Sequence, residues 1–318
     1  MNKMFNLLSV LRFGKQKKTG KVDRRTKLAI SCEMQWDGRT RNYCIYVPPT
    51  YDSSRPMPLY IGLHGMNDRA DLQFRANMLT SACDMFGGIM VAPQGLEDYG
   101  LSGWNAGVQH IEKGKSIYLH RDFDDVGFIN RLIDDLLIRF NIDHNRIFVF
   151  GFSMGGFMAN RLAIECGDRF RAVCSVNGTI GNLIYQEKPK CPINVLHIHG
   201  TLDPIVKYEI EPSKISHSHG IGAEQLVEYW RENNHCNPEP KKMEYPHITD
   251  NDIIFQRIEY LGGTNGTRIV HIKAINGFHK WYDSYYMDIS YTIEMMNFFN
   301  RCSSQIFEEK TNPNKAAK

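Results

Sequence analysis

The sequence predicts an α/β fold in which a mostly parallel central sheet is covered by helices on both faces. Three observations carry this. Short apolar runs alternate along the chain with longer stretches of helical periodicity, the pattern of strands buried on both sides and joined by crossover helices. One such run, residues 146–150, passes directly into Gly151-Phe152-Ser153-Met154-Gly155, a strand–turn–helix signature built around a serine. An acid, Asp203, and a histidine, His279, follow that serine in order, each just past a later apolar run.

The elements follow in sequence. Tyr43-Cys44-Ile45-Tyr46-Val47 reads as a strand stopped by Pro48-Pro49, and residues 58–63 and 89–93 as two more. Residues 122–140 read as a helix: Val126, Ile129, Ile133, Leu136 and Phe140 recur at spacings of three and four, with acids in the first turn. The strand before the serine comes next, then a helix over residues 154–165. Residues 172–176 and 194–199 are further strands, residues 223–233 a helix, and residues 254–260 and 268–275 two more strands. Residues 288–301 form a closing amphipathic helix. Two long connections, residues 96–121 and 204–222, fall where an α/β sheet builds its pocket. One domain over residues 29–302 is expected, between a leader (1–28) and a polar tail (303–318).

The composition is that of an ordinary globular protein, 42% hydrophobic and 23% charged. No apolar stretch approaches the ~20 residues that span a bilayer, so no integral membrane association is expected. The net charge of +3 conceals a basic segment. Arg12, Lys15, Lys17, Lys18, Lys21, Arg24, Arg25 and Lys27 stand there against the single acid Asp23. Such a segment can meet anionic lipid or nucleic acid, but this one lacks interleaved aromatics on which bases could stack. It reads as a solvated leader, with no nucleic-acid partner expected. The eight cysteines show no C-x-x-C pair. Cys44, Cys83, Cys166 and Cys174 sit in apolar patterns and suit a reduced core, whereas Cys191, Cys236 and Cys302 fall near element ends and are candidates for disulfides.

A serine hydroxyl is a weak nucleophile at neutral pH and needs a base, which in turn needs an orienting acid. In the α/β-hydrolase order of serine, acid and histidine, the candidates are Ser153, then Asp203 in the turn after residues 194–199, then His279 after residues 268–275. Two rival assignments exist. Asp124-Asp125 could supply the acid, but precedes the serine and better suits the cap of the helix that follows. His197 and His199 alternate on a strand and so face one side, which could bind zinc with His64 or His271, although no cysteine or carboxylate cluster completes such a site. His120, His144, His235 and His247 read as surface residues. For the oxyanion, the Met154 N–H at the helix start is one donor. The Met66 N–H, in the loop Leu63-His64-Gly65-Met66, is the other, with Gly65 permitting close backbone approach. Trp104 and Trp281 are candidates for the walls of the substrate pocket, or for core aromatics. No metal or organic cofactor is required.

The chain resembles the esterases grouped with polyhydroxybutyrate depolymerases and feruloyl esterases. The resemblance rests on Arg41-Asn42-Tyr43, Leu63-His64-Gly65, Ala92-Pro93-Gln94-Gly95, Gly103-Trp104-Asn105, Asp124-Asp125-Val126-Gly127-Phe128, the serine turn continued by Gly156, His199-Gly200-Thr201-Leu202-Asp203 and Gly277-Phe278-His279-Lys280-Trp281, in the family's order across residues 41–281. It implies an α/β-hydrolase that cleaves carboxylic esters through an acyl-enzyme on Ser153, with Asp203 and His279 completing the triad. The chain departs from the family at Tyr282, where a proline usually follows the tryptophan. It ends soon after Arg301, without room for the extra binding domain of enzymes that attack solid polyester, so a small or oligomeric soluble ester is the expected substrate. The resemblance implies an extracellular enzyme, while the absence of a clear signal peptide leaves a cytoplasmic one as the alternative. A peptidase or acyltransferase on the same fold, and a catalytically silent binding protein, are the competing functions.

Overall fold

The computed structural model describes residues 29–311, apart from residues 77, 113, 114, 284 and 285. The basic leader therefore lies outside the described residues. Ten strands form the central sheet: β1 (Ile30–Trp36), β2 (Arg39–Tyr46), β3 (Met57–Leu63), β4 (Ile89–Pro93), β9 (Ile142–Phe152), β10 (Ala172–Val176), β11 (Asn194–Gly200), β12 (Lys241–Glu244), β13 (Ile254–Tyr260) and β14 (Ile269–Ile275). Between β4 and β9 lie two short hairpins, β5 (Leu96–Asp98) with β6 (Leu101–Gly103) and β7 (Gln109–Glu112) with β8 (Lys115–Tyr118).

The sheet order is β1-β2-β4-β3-β9-β10-β11-β14-β13-β12. The six central strands, β4 to β14, pair in parallel, and both margins are antiparallel. Parallel strands need both faces covered, and alternation along each strand supplies two cores. On β3, Leu59, Ile61 and Leu63 face one core while Tyr60 faces the other; on β9, Ile147 and Val149 oppose Phe148 and Phe150. The first face is covered by α3 (Asp125–Arg139), α4 (Met154–Cys166) and α5 (Ala223–Asn233). The second is covered by α1 (Ala70–Ala76), α2 (Leu79–Phe86) and α6 (Tyr291–Thr311).

Several boundaries differ from expectation. Helix α3 begins at Asp125, because Asp124 is its cap: the Asp124 carboxylate accepts the Gly127 N–H at 2.8 Å. Asp125 is not a cap. It is buried, and its carboxylate pairs with the equally buried Arg41 at 2.6 Å and accepts the Asn105 N–H at 2.7 Å. Helix α6 starts at Tyr291 and runs to Thr311, so a helix occupies most of the region expected as a polar tail. Strand β1 was not anticipated, although Ile30, Cys32, Met34 and Trp36 alternate with polar residues as a half-buried edge strand should. His120 is buried, not superficial, with its Nε2 against the Leu101 carbonyl at 3.0 Å. All eight cysteines are free thiols, so Cys191, Cys236 and Cys302 form no disulfides here.

Candidate active site

The register of the sheet sets the site. Leu63 of β3 pairs with Gly151 of β9, and Phe152 of β9 with Val176 of β10. The carboxyl ends of β3, β9, β10, β11 and β14 therefore lie side by side, where ligands collect in open α/β sheets.

Ser153 sits between β9 and α4 with φ 55° and ψ −121°, a region non-glycine residues rarely occupy. Its neighbours hold it there. The Ser153 N–H donates to the Val176 carbonyl at 2.9 Å, and the Ser153 carbonyl accepts the Gly156 and Phe157 N–H groups at 2.8 and 3.1 Å. The turn closes too tightly for side chains on either flank: a Cβ on Gly151 would lie 2.1 Å from the Gly155 carbonyl oxygen, and one on Gly155 would lie 2.0 Å from that of Leu63. The serine thus stands at the N-cap position of α4, at the positive end of that helix's dipole, with no side-chain cap hydrogen bond.

The loop after β3 lies over this turn. His64 is fully buried. Its Nδ1 contacts the Gly65 carbonyl at 2.7 Å and its Nε2 lies 2.9 Å from the Gly95 N–H. A carbonyl only accepts and an amide only donates, so His64 is a neutral imidazole protonated on Nδ1. Burial also drives its pKa down, in the same direction. In a trans peptide the C=O and the next N–H point opposite ways. Anchoring the Gly65 carbonyl on His64 therefore turns the Met66 N–H outward. Neither the Met66 nor the Met154 amide donates to a backbone carbonyl among the described residues. The space at Gly65 is not what close approach predicts: a Cβ there would meet the Ser153 Cβ at 3.6 Å, an ordinary contact. What Gly65 leaves open is the room above the serine, which a longer side chain would fill.

Across the turn, Asp203 follows β11 and His279 follows β14. The Asp203 Oδ2 accepts from His279 Nδ1 at 2.6 Å, and its Oδ1 accepts the Ile205 and Val206 N–H groups at 2.9 Å each. Burial alone would raise the Asp203 pKa, but hydrogen bonds from His199 and His279 outweigh it and hold the carboxyl well below the usual carboxylate range. The His279 ring packs against Phe152, the residue before Ser153, with ring centroids 4.9 Å apart.

His197 and His199 do share one side of β11, and His271 joins them, its ring stacked on His197 at 5.3 Å. Their nitrogens are already engaged. His197 Nδ1 meets the Ser175 hydroxyl at 2.8 Å, His197 Nε2 meets His199 Nδ1 at 3.1 Å, His199 Nε2 meets the Val206 carbonyl at 2.8 Å and His271 Nε2 meets the Tyr208 hydroxyl at 2.7 Å. Among the described residues no cluster of three or more His, Cys, Asp or Glu side chains is arranged to hold a metal ion. Burial pushes His271 down to about 4 and His197 well below its ordinary value.

The two tryptophans separate. Trp104 is 0% exposed and donates its Nε1–H to the His64 carbonyl at 2.9 Å, so it braces the loop from behind and is not a pocket wall. Trp281 is half-buried. Its indole N–H is bound by Asp283 at 2.7 Å and its ring lies edge-on to Phe152. The two long connections do meet: Gln109 and most of the residues between Ile205 and Ile221 line a cleft of 430 Å³ that includes Ile205 and Val206, whose amides hold Asp203. Leu202, Ile205 and Phe278 stand 51%, 56% and 54% exposed around the acid and the histidine, an apolar rim. Sequence reasoning missed Asn177, and marked Tyr282 only as a departure from the family. The Asn177 Nδ2 donates to Asp203 Oδ2 at 2.9 Å and to the Phe278 carbonyl at 3.0 Å, and the Tyr282 hydroxyl accepts the Phe278 N–H at 2.9 Å.

Comparison with known proteins agrees with this architecture. The model of a family described as Phospholipase/Carboxylesterase matches residues 52–219, more than half of the chain. A putative esterase, NocK, from Nocardia uniformis subsp. tsuyamanensis is 28% identical over 255 residues, covering 77% of this chain and 71% of NocK. A probable feruloyl esterase C from Aspergillus niger is 26% identical over 203 residues, covering 62% of this chain and 63% of that protein. The solved acetyl xylan esterase from Aspergillus awamori shares the fold, with a TM-score of 0.57 at 13% identity over 82% of this chain and 94% of that one. No helix among the described residues is long and apolar enough to cross a membrane.

Proposed function

The chain belongs to the phospholipase/carboxylesterase family, and from that premise we propose that Ser153, His279 and Asp203 are the catalytic triad through which it hydrolyses esters. It is a carboxylic ester hydrolase of the α/β-hydrolase fold. The observation that carries the residue assignment is the 2.6 Å pair between His279 Nδ1 and Asp203, formed on the same sheet edge as a serine held at positive φ.

In this reading Asp203 fixes the imidazole with its proton on Nδ1, leaving Nε2 bare to accept the Ser153 proton. The Ser153 Oγ attacks the ester carbonyl carbon, and the oxyanion is held by the Met66 and Met154 N–H groups at the positive end of α4. As the intermediate collapses, His279 returns the proton to the leaving alcohol. A water, deprotonated by His279, then attacks the acyl-enzyme, and the acid departs with Ser153 restored. The low pKa of Asp203 keeps it ionised throughout, so it stabilises the imidazolium without taking its proton.

The apolar rim of Leu202, Ile205 and Phe278 suits an apolar or aromatic acyl group, and the adjoining 430 Å³ cleft has room for a soluble ester or oligomer. Related proteins named for feruloyl and acetylxylan ester hydrolysis support that substrate range. An extracellular place of action rests on the resemblance, and fractionation of native cells tests it.

A panel of p-nitrophenyl acetate, butyrate and octanoate, methyl ferulate and a hydroxybutyrate trimer, with Ser153→Ala as control, tests the reading. Ser153-dependent hydrolysis supports it. Full activity in Ser153→Ala removes the nucleophile assignment, and acyl transfer to alcohols outrunning hydrolysis would make the protein an acyltransferase.

A further inference from the structure

We infer that Asn177 is a positioning residue for catalysis, clamping the triad acid to the loop that carries the triad base. This rests on the triad reading above and deepens it.

The tripeptide Val176-Asn177-Gly178, at the carboxyl end of β10, touches all three parts of the site. The Val176 carbonyl accepts the Ser153 N–H at 2.9 Å. A Cβ on Gly178 would fall 2.2 Å from the Ser153 carbonyl oxygen, so the backbone there is in direct contact with the serine turn. Asn177 reaches the other two parts with one group: its Nδ2 donates one hydrogen to Asp203 Oδ2 at 2.9 Å and the other to the carbonyl of Phe278, the residue before His279, at 3.0 Å.

The chemistry fixes which way this amide lies. Both partners are acceptors only, so the nitrogen must face them and both N–H bonds are spent. The Asn177 Oδ1 is left buried with no hydrogen-bond partner. Buried polar atoms are paired in the great majority of cases, so the arrangement keeps an orphan oxygen in order to place two donors. Asn177 is also fully buried and holds φ at 49°, with its N–H bound to the Ile198 carbonyl at 2.9 Å. Asparagine tolerates that backbone region better than most residues. Tyr282 completes the clamp from the other side by accepting the Phe278 N–H at 2.9 Å. Both peptide groups of the residue preceding His279 are thus held.

The charge environment says what the clamp does. The Asp203 carboxylate faces His279, Asn177 and, at 3.4 Å, His199, with His197 one hydrogen bond further along β11. Like the Ile205 and Val206 amides on Oδ1, Asn177 is a neutral donor, and it is the one on the oxygen that faces His279: it stabilises the carboxylate without adding charge, and so moderates the pull of Asp203 on the imidazolium. Removing that donor, or replacing it with an anion, should strengthen the pull of Asp203 on the imidazolium.

The test uses the full chain, with kcat and KM for p-nitrophenyl butyrate followed down the acidic limb of the pH profile. Asn177→Gly keeps the positive φ and deletes the amide. Asn177→Asp keeps the shape and sets a carboxylate against a carboxylate. The expected result is a fall in kcat of about 10- to 100-fold with KM little changed, larger for Asp than for Gly, and an acidic limb displaced to higher pH in both. A role confined to the turn would leave Asn177→Gly with a wild-type profile, since glycine suits that turn. Wild-type kcat and an unmoved acidic limb in Asn177→Gly overturn the inference, and that variant decides alone if Asn177→Asp does not fold. Ser153→Ala run beside them separates the two failures. If it is inactive while Asn177→Gly behaves as wild type, only the role of Asn177 falls; if it stays active, the triad reading falls first.

Discussion

The two sides of the site are built by different means. On the serine side, from β3 to β9, geometry is imposed by main chain and glycine. Ser153 is held by the Val176 carbonyl and by helix amides, Gly151 and Gly155 admit no side chain, and the Gly65 carbonyl is tied to His64. On the acid–base side, from β11 to β14, geometry is imposed by side chains. Asp203 is fixed by His279, Asn177 and two loop amides, with three fully buried histidines packed behind it. A position set by backbone demands particular residues in a particular spacing. A position set by side-chain hydrogen bonds can be supplied from anywhere in the chain that folding brings near.

The largest effect should come from deleting the one group both sides serve. Ser153→Ala is expected to lower kcat on p-nitrophenyl butyrate by about 10⁶-fold, with the melting temperature little changed, since alanine keeps the Cβ and the same φ. Asp203→Asn is the matching cut on the other side. It keeps the shape but allows the imidazole to adopt the wrong tautomer, so a loss of about 10⁴-fold is expected. Losses under tenfold in Asp203→Asn would show that the acid–base side is a scaffold and not part of the chemistry.

The contrast explains what the sequence could and could not reveal. The parallel sheet, four of the six covering helices, the serine turn and the chain order of Ser153, Asp203 and His279 were legible, because each of these residues follows an apolar run and each turn is punctuated by glycine; the two short helices α1 and α2 were not read. Asn177 was not, since one asparagine after a strand looks like any turn residue, and its partners lie 26 and 101 positions away. Trp104 stayed open between pocket wall and core for a related reason: an aromatic in a long loop suits either, and only packing shows it fully buried with its indole N–H spent on the His64 carbonyl. Asp125 read as a cap beside Asp124, and only the fold brings the buried Arg41 to it, 84 positions away.

The two sides should also differ in acid. His197 and His271 have pKa values lowered by burial, and that of Asp203 is held down by its donors against burial. As pH falls, the unfolded chain takes up these protons first. The stability from keeping the histidines neutral is therefore full above their ordinary value of about 6.5 and is lost as pH drops towards about 4, the His271 value. The Asp203 contribution persists until pH falls below the ordinary carboxylate value of about 3.9. Melting temperature should fall through the first window and again below the second. His64, also lowered by burial, adds to the first window from the serine side. Replacing both His197 and His271 with Gln should flatten that first fall, and a decline as steep as in the wild type would place its cause elsewhere.

Glycine substitutions probe the serine side directly. Gly155→Ala drives a methyl group to 2.0 Å from the Leu63 carbonyl oxygen, so it should cost about 1–3 kcal/mol and lower kcat as the turn shifts. Gly65→Ala adds a methyl at ordinary contact distance, 3.5 Å from Phe152, and should stay within ~0.5 kcal/mol of wild type. Equal destabilisation by the two, measured by urea unfolding, would mean that the turn is looser than its close contacts imply.

The smallest effect should come from Trp104→Phe, which tests whether a side chain also matters on the main-chain side. The replacement keeps most of the apolar volume and removes the N–H that binds the His64 carbonyl at 2.9 Å. That carbonyl begins the peptide run His64-Gly65-Met66, so its release lets the Met66 amide drift without deleting it. Losing an oxyanion donor outright costs about 10²–10³ in kcat, and a mis-aimed one should cost less, about tenfold. If Met66 is the oxyanion donor proposed above, the loss should fall on kcat with KM unchanged, because such a donor meets its full charge only in the transition state. A change in KM with kcat intact would instead make Trp104 a determinant of substrate binding after all, acting through the shape of the pocket and not through the oxyanion.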